Sequence, residues 1–193
     1  LTPRDRLVTG AWGPEKNPPE RQRLLQQWRG PNQPYLVLLY PRTKDEPKPT
    51  VTPIGPGAGA RVELPGRVDY VLAGDGKQEI REGVLRFLGQ GALVQPRPEG
   101  TRLTLFAGRL LAWEGLELEQ PLSGGLIQAF FAQDGQLTGE CDGLARTVTL
   151  RASAAFRGKK ALYLDGQLMT RFPDNAGHYA FELPAGKHRF QIK

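Results

Sequence analysis

The chain has 193 residues, with 24 glycines, 17 prolines, 39% hydrophobic residues and 24% charged ones. That length holds a core able to fold without staples, and the single cysteine, Cys141, excludes an internal disulfide and any multi-cysteine metal cluster. No run of roughly 18 apolar residues occurs, which excludes a membrane-spanning helix. The formal net charge is +6, spread unevenly as +4 over residues 1–50, −4 over 51–143 and +6 over 144–193. Basic ends of this kind attract polyanions.

Residues 1–34 form a polar, Pro-rich extension, and the first of them lack the apolar stretch of a signal peptide. A chain starting at Leu1 without Met is expected to be a processed or excised piece of a longer protein. The periodic segment of the extension runs from Glu20 to Trp28, after Pro18-Pro19 and before Gly30-Pro31. Helix formers with proline ahead and Gly-Pro behind predict one short helix, with Leu24, Leu25 and Trp28 on its buried stripe.

From Tyr35 the period changes to that of strands. Tyr35 to Tyr40 is an apolar run between Pro34 and Pro41, the pattern of a strand buried on both faces. Alternating segments follow at 60–64, 67–72, 84–88, 102–106 and 146–151, and the stretch 179–192 reads as two strands around a Pro184-Ala185-Gly186-Lys187 turn. Pro65-Gly66, Asp75-Gly76, Asp134-Gly135, Asp142-Gly143 and Asp165-Gly166 stand between such segments and supply the positive φ of tight hairpins. Repeated hairpins give antiparallel sheets. The expected fold is all-β: an antiparallel β-sandwich over residues 35–193, with one short N-terminal helix in the extension. Leu36, Leu38, Val68, Tyr70, Leu103, Leu105, Val148 and Phe181 are its expected core.

Most catalytic constellations fail on inventory. There are only two histidines, His178 and His188, both near predicted hairpin turns and without neighbours at metal-ligand spacing, so no metal site is expected. The glycine-rich Gly55-Pro56-Gly57-Ala58-Gly59 lacks the Lys-Ser or Lys-Thr of a phosphate loop, and Ser123-Gly124-Gly125 lacks a strand-to-helix setting. Glu117 and Glu119 stand two apart and so share one face of a strand, which is how neighbouring acids line a solvated face. Trp12, Trp28 and Trp113, with Tyr35, Tyr40, Tyr70, Tyr163 and Tyr179, are able to stack on sugar rings or bases, although aromatics in a sandwich mostly fill its core. A basic stripe interleaved with exposed aromatics, the mark of nucleic-acid binding, is weak here, so nucleic acid is not expected as a partner.

The order of features from Tyr35 to about Leu118 resembles the β-sandwich portion of heparinase II/III-like polysaccharide lyases. The matching pieces are Leu38-Leu39-Tyr40-Pro41, the Pro-rich loop after it, Gly66 to Leu72, Phe106-Ala107-Gly108-Arg109 and Gly115-Leu116-Glu117-Leu118. The resemblance implies an accessory module, secreted or periplasmic, that follows an upstream catalytic domain and contacts acidic polysaccharide. It carries over no catalytic residue and no cofactor, and the chain alone is expected to be without catalysis. The residues expected to touch a ligand are Trp113, Arg151, Arg157, Lys159, Lys160 and Arg189. An independent carbohydrate-binding module and a structural protein-interaction sandwich are the alternatives.

Overall fold

A computed structural model describes residues 5–9, 23–27, 45–55, 59–152, 161–170 and 178–193. Among them there is no helix. The strands are β1 (Asp5–Thr9), β2 (Arg23–Gln27), β3 (Thr50–Ile54), β4 (Gly59–Leu64), β5 (Arg67–Ala73), β6 (Ile80–Glu82), β7 (Leu85–Arg97), β8 (Gly100–Trp113), β9 (Leu116–Glu119), β10 (Leu126–Ala132), β11 (Leu137–Gly143), β12 (Arg146–Ala152), β13 (Leu162–Leu164), β14 (Gln167–Thr170), β15 (His178–Leu183) and β16 (Gly186–Ile192).

All pairings are antiparallel, and β3 to β16 belong to one continuous sheet. The long hairpin β7–β8 folds that sheet onto itself. The second half of β7 and the first half of β8 belong to a layer ordered β14-β13-β16-β11-β10-β8-β7-β5-β4-β3. The first half of β7 pairs with β6 and the second half of β8 with β9, which continues through β12 to β15 as the opposing layer. The bend lies where the register shifts between Leu88 and Gly89, opposite Gly108. Two glycines face each other because the backbones nearly touch: a Cβ on Gly89 would stand 2.6 Å from the Gly108 Cα.

The inner rows of both layers meet in one apolar cluster that includes Leu103, Leu105, Leu111, Leu118, Ile127, Val148, Leu150, Phe181 and Phe190. Rings make contact across it: Phe181 lies 5.7 Å from Phe190, and Tyr70 lies 4.5 Å from Trp113, centroid to centroid. The two layers with a shared core make the sandwich that the alternation predicts.

Among the connections that carry the chain between layers are the one after β9, the one after β11 and the one after β15. Arg146 ties the first two together from inside. Its Nε donates to Gln120 Oε1 at 2.8 Å, and its terminal nitrogens donate to the carbonyls of Leu144 at 2.8 Å and Leu126 at 3.0 Å. Gln120 in turn donates to the Gly125 carbonyl at 2.9 Å. Arg146 is only 5% exposed, and burial pulls its pKa below the ordinary value. Hydrogen bonds from its fork compensate for that desolvation.

Several local expectations differ from the structure. The segment expected as a helix lies outside the described residues at both ends, and its middle, Arg23–Gln27, is a strand paired with Asp5–Thr9. Nine residues make a marginal helix, whereas a ladder satisfies the backbone through a partner. The strand expected over 35–40, with Leu36 and Leu38, and the boundary at residue 34 lie outside the described residues. Leu103, Leu105, Val148 and Phe181 are buried, but Val68 and Tyr70 are only half-buried. Between them Asp69 is the buried one, held by Arg97 Nη2 at 2.5 Å and Gln95 Nε2 at 3.3 Å. Paired in this way, a carboxylate tolerates the loss of water.

Candidate functional site

On the outer face of the larger layer, β8, β10, β11 and β16 present a shallow groove of about 280 Å³. Register decides what lines it, because directly opposed residues share a face. One cross-strand row runs Thr104, Gln128, Glu140, Arg189, and the next runs Arg102, Phe130, Thr138, Gln191. Alternation sends Leu103, Ala129 and Phe190 inward and leaves the residues of these rows on the outer face, where Thr104 is itself buried. The groove is lined by Arg102, Gln128, Phe130, Thr138, Glu140 and Arg189, with Gly139 at its floor.

Its chemistry is mixed in a useful way. Arg102 and Arg189 are exposed cations on β8 and β16, at two sides of the groove, and neither forms an ion pair among the described residues. The Arg102 guanidinium lies 5.9 Å from the centroid of the half-buried Phe130 ring. Gln128 donates to Thr104 Oγ1 at 3.2 Å, which fixes its amide at the base of the face. Glu140 is the single acid of the lining.

Arg189 is held by its backbone. The β13–β14 hairpin turns through Asp165 and Gly166, both at positive φ, as a two-residue Asp-Gly turn requires. The Asp165 carboxylate then accepts from Arg189 N at 2.9 Å through Oδ1 and contacts His188 Nδ1 at 2.6 Å through Oδ2. The other ring nitrogen, Nε2, lies 3.3 Å from the Ala185 carbonyl. Both ring nitrogens therefore face acceptors, and these contacts, with Asp165 first, raise the His188 pKa. The backbone N–H of Arg189 and then the His188 ring hold the Asp165 carboxyl below its usual range.

Cys141 pairs with His188 across β11 and β16, but this is no nucleophile and base. The thiol is buried, burial raises its pKa, and its contact is with the His188 carbonyl at 3.7 Å. With Nε2 directed at Ala185, the imidazole is not aimed at sulfur. Glu117 and Glu119 flank the buried Leu118, so both point outward, and Glu117 meets Arg86 at 3.4 Å within an ion-pair chain that includes Glu79 and Arg81. Among the described residues no three His, Cys, Asp or Glu side chains converge as metal ligands.

Of the residues expected from sequence to touch a ligand, the groove contains Arg189. Arg151 is exposed on β12 of the opposite layer, across from Glu117 and His178. Trp113 lies in the core at 7% exposure against Tyr70, and its indole N–H meets no acceptor among the described residues. A ring so placed offers no stacking surface. Arg157, Lys159 and Lys160 lie outside the described residues. Sequence reasoning missed Arg102, Gln128, Phe130 and Glu140. Alternation marks each as outward-facing, but only the register between distant strands brings them together.

Comparison with known proteins adds no relative, since no family model matches the chain and no curated protein matches it either.

Proposed function

We propose that this chain is a non-catalytic β-sandwich module that holds an acidic polysaccharide on its outer face, as the accessory part of a larger polysaccharide-degrading enzyme acting outside the cytoplasm. The observation that carries the binding part is the groove in which Arg102 and Arg189 flank Phe130 and Gln128. Guanidinium groups meet carboxylate or sulfate in a forked, bidentate manner, an aromatic ring meets the C–H face of a sugar, and an amide meets hydroxyls. The accessory role and the lyase context rest on the sequence resemblance.

Calorimetry or affinity electrophoresis against heparin, alginate and a neutral glucan, at low and high salt, tests the reading. The acidic polymers are expected to bind, more weakly as salt rises, and the double variant Arg102→Ala/Arg189→Ala to bind less at low salt. Binding to the neutral glucan alone refutes the acidic ligand. Binding to none of them refutes the module's role in holding a glycan.

A further inference from the structure

The cross-strand row that begins at Arg102 and Phe130 does not end at the groove. It continues through Thr138 on β11 and Gln191 on β16 to Tyr163 on β13. All five side chains emerge on one face, because the residues beside them in each strand, Leu103, Ala129, Leu137, Phe190 and Leu162, are buried. The far end repeats the near one: the Lys193 ammonium lies 4.9 Å from the Tyr163 ring centroid, as Arg102 lies beside Phe130. Each end therefore offers an aromatic ring with a cation next to it, and the two residues between, Thr138 and Gln191, are neutral hydrogen-bonding side chains. Phe130 and Tyr163 are three strand steps apart, a span of about 14 Å at the usual spacing between strands.

From this juxtaposition, and resting on the acidic-polysaccharide reading above, we infer that the glycan crosses the strands at right angles. It occupies two cation–aromatic stations, Arg102/Phe130 and Tyr163/Lys193, so that recognition requires an oligosaccharide long enough to touch both. A single sugar or a disaccharide fills one station. The neutral middle of the row, Thr138 and Gln191, offers hydrogen bonds to units rich in hydroxyl groups, of which a nucleic-acid strand carries at most one per internal nucleotide. That is the reason for naming a polysaccharide and not a single-stranded nucleic acid.

The test is calorimetry with alginate and heparin oligosaccharides of two, four and six units, at low salt, on the whole chain and on Tyr163→Ala and Lys193→Ala. The expected result is a hexasaccharide affinity at least about fivefold above that of the disaccharide, with the surplus lost in Tyr163→Ala. Lys193 is exposed, so Lys193→Ala keeps the fold even if loss of the Tyr163 ring does not; it is expected to weaken the hexasaccharide by a larger factor than the disaccharide. Equal affinity at all three lengths, or a hexasaccharide indifferent to Lys193→Ala, overturns the two-station path while leaving the groove as a glycan site. Failure of every acidic oligosaccharide to bind overturns both readings, and tighter binding of polyuridylate through the same residues overturns the choice of polysaccharide.

Discussion

At the scale of single residues, Asp165 has the most consequential contacts, since one carboxylate orients the backbone of the groove residue Arg189 and the ring of His188. The linkage has a definite sign. His188 has its pKa raised in the fold, so its contribution is complete below the unfolded value of about 6.5 and disappears as pH climbs through the folded one. Asp165 has its pKa lowered, so its contribution is complete above an unfolded value of about 3.9 and disappears as pH falls through the folded one. The contact is thus strongest between about pH 4 and 6.5. Comparing melting temperatures of the native chain and His188→Ala should show the largest gap near pH 5.5 and a smaller one by pH 8.5; a gap constant across that range would show the ring to be a mere filler. Because Asp165 is half-exposed, the effect should be small and should shrink with salt. Little of this was legible beforehand. His188 reads as a residue after a turn, and its acceptor comes from another hairpin. Trp113 illustrates the converse: an aromatic residue type alone does not tell a stacking platform from a core ring.

At the scale of elements, alternation located the strands well and their ends poorly. Segments expected at 84–88 and 102–106 are parts of two strands that run on to Arg97 and Trp113. Gly89-Gln90-Gly91 follows the first segment and Gly108 follows the second, and these glycines mark a bend inside the two strands and not their ends. Its energetics can be separated with two alanines. In Gly89→Ala the new Cβ meets backbone at 2.6 Å, and since backbone has nowhere to retreat a loss of about 1–3 kcal/mol in urea unfolding is expected. In Gly91→Ala the nearest atom is 3.7 Å away, an ordinary contact, and a change within about 0.5 kcal/mol is expected. Equal effects at the two positions would mean that the bend does not depend on the close approach. The Asp165-Gly166 hairpin, by contrast, was readable outright, because its turn chemistry is wholly local.

At the scale of the molecule, sandwich class followed from period and punctuation, whereas the groove did not, because Arg102, Phe130 and Arg189 meet only through pairing between strands remote in sequence. One apolar cluster spans both layers, so the described sandwich should unfold as a unit. Cys141 sits in that cluster and serves as the probe: its labelling by a thiol reagent and the loss of far-ultraviolet circular dichroism should share one urea midpoint, and labelling at lower urea would show a layer opening alone. The β7–β8 hairpin also gives the two layers a mechanical character. Layers stacked only through side chains can slide over each other, but here the two paired backbones of β7 and β8 pass together from one layer to the other around the bend, with the register shift between Leu88 and Gly89 inside it. The bend therefore acts as the spine of a book. The covers hinge there, and the connection after β9 runs along the same spine, with Gln120 N–H donating to the Arg109 carbonyl and Ala107 N–H to the Gly125 carbonyl, so that the Arg146 fork is stitching beside the spine.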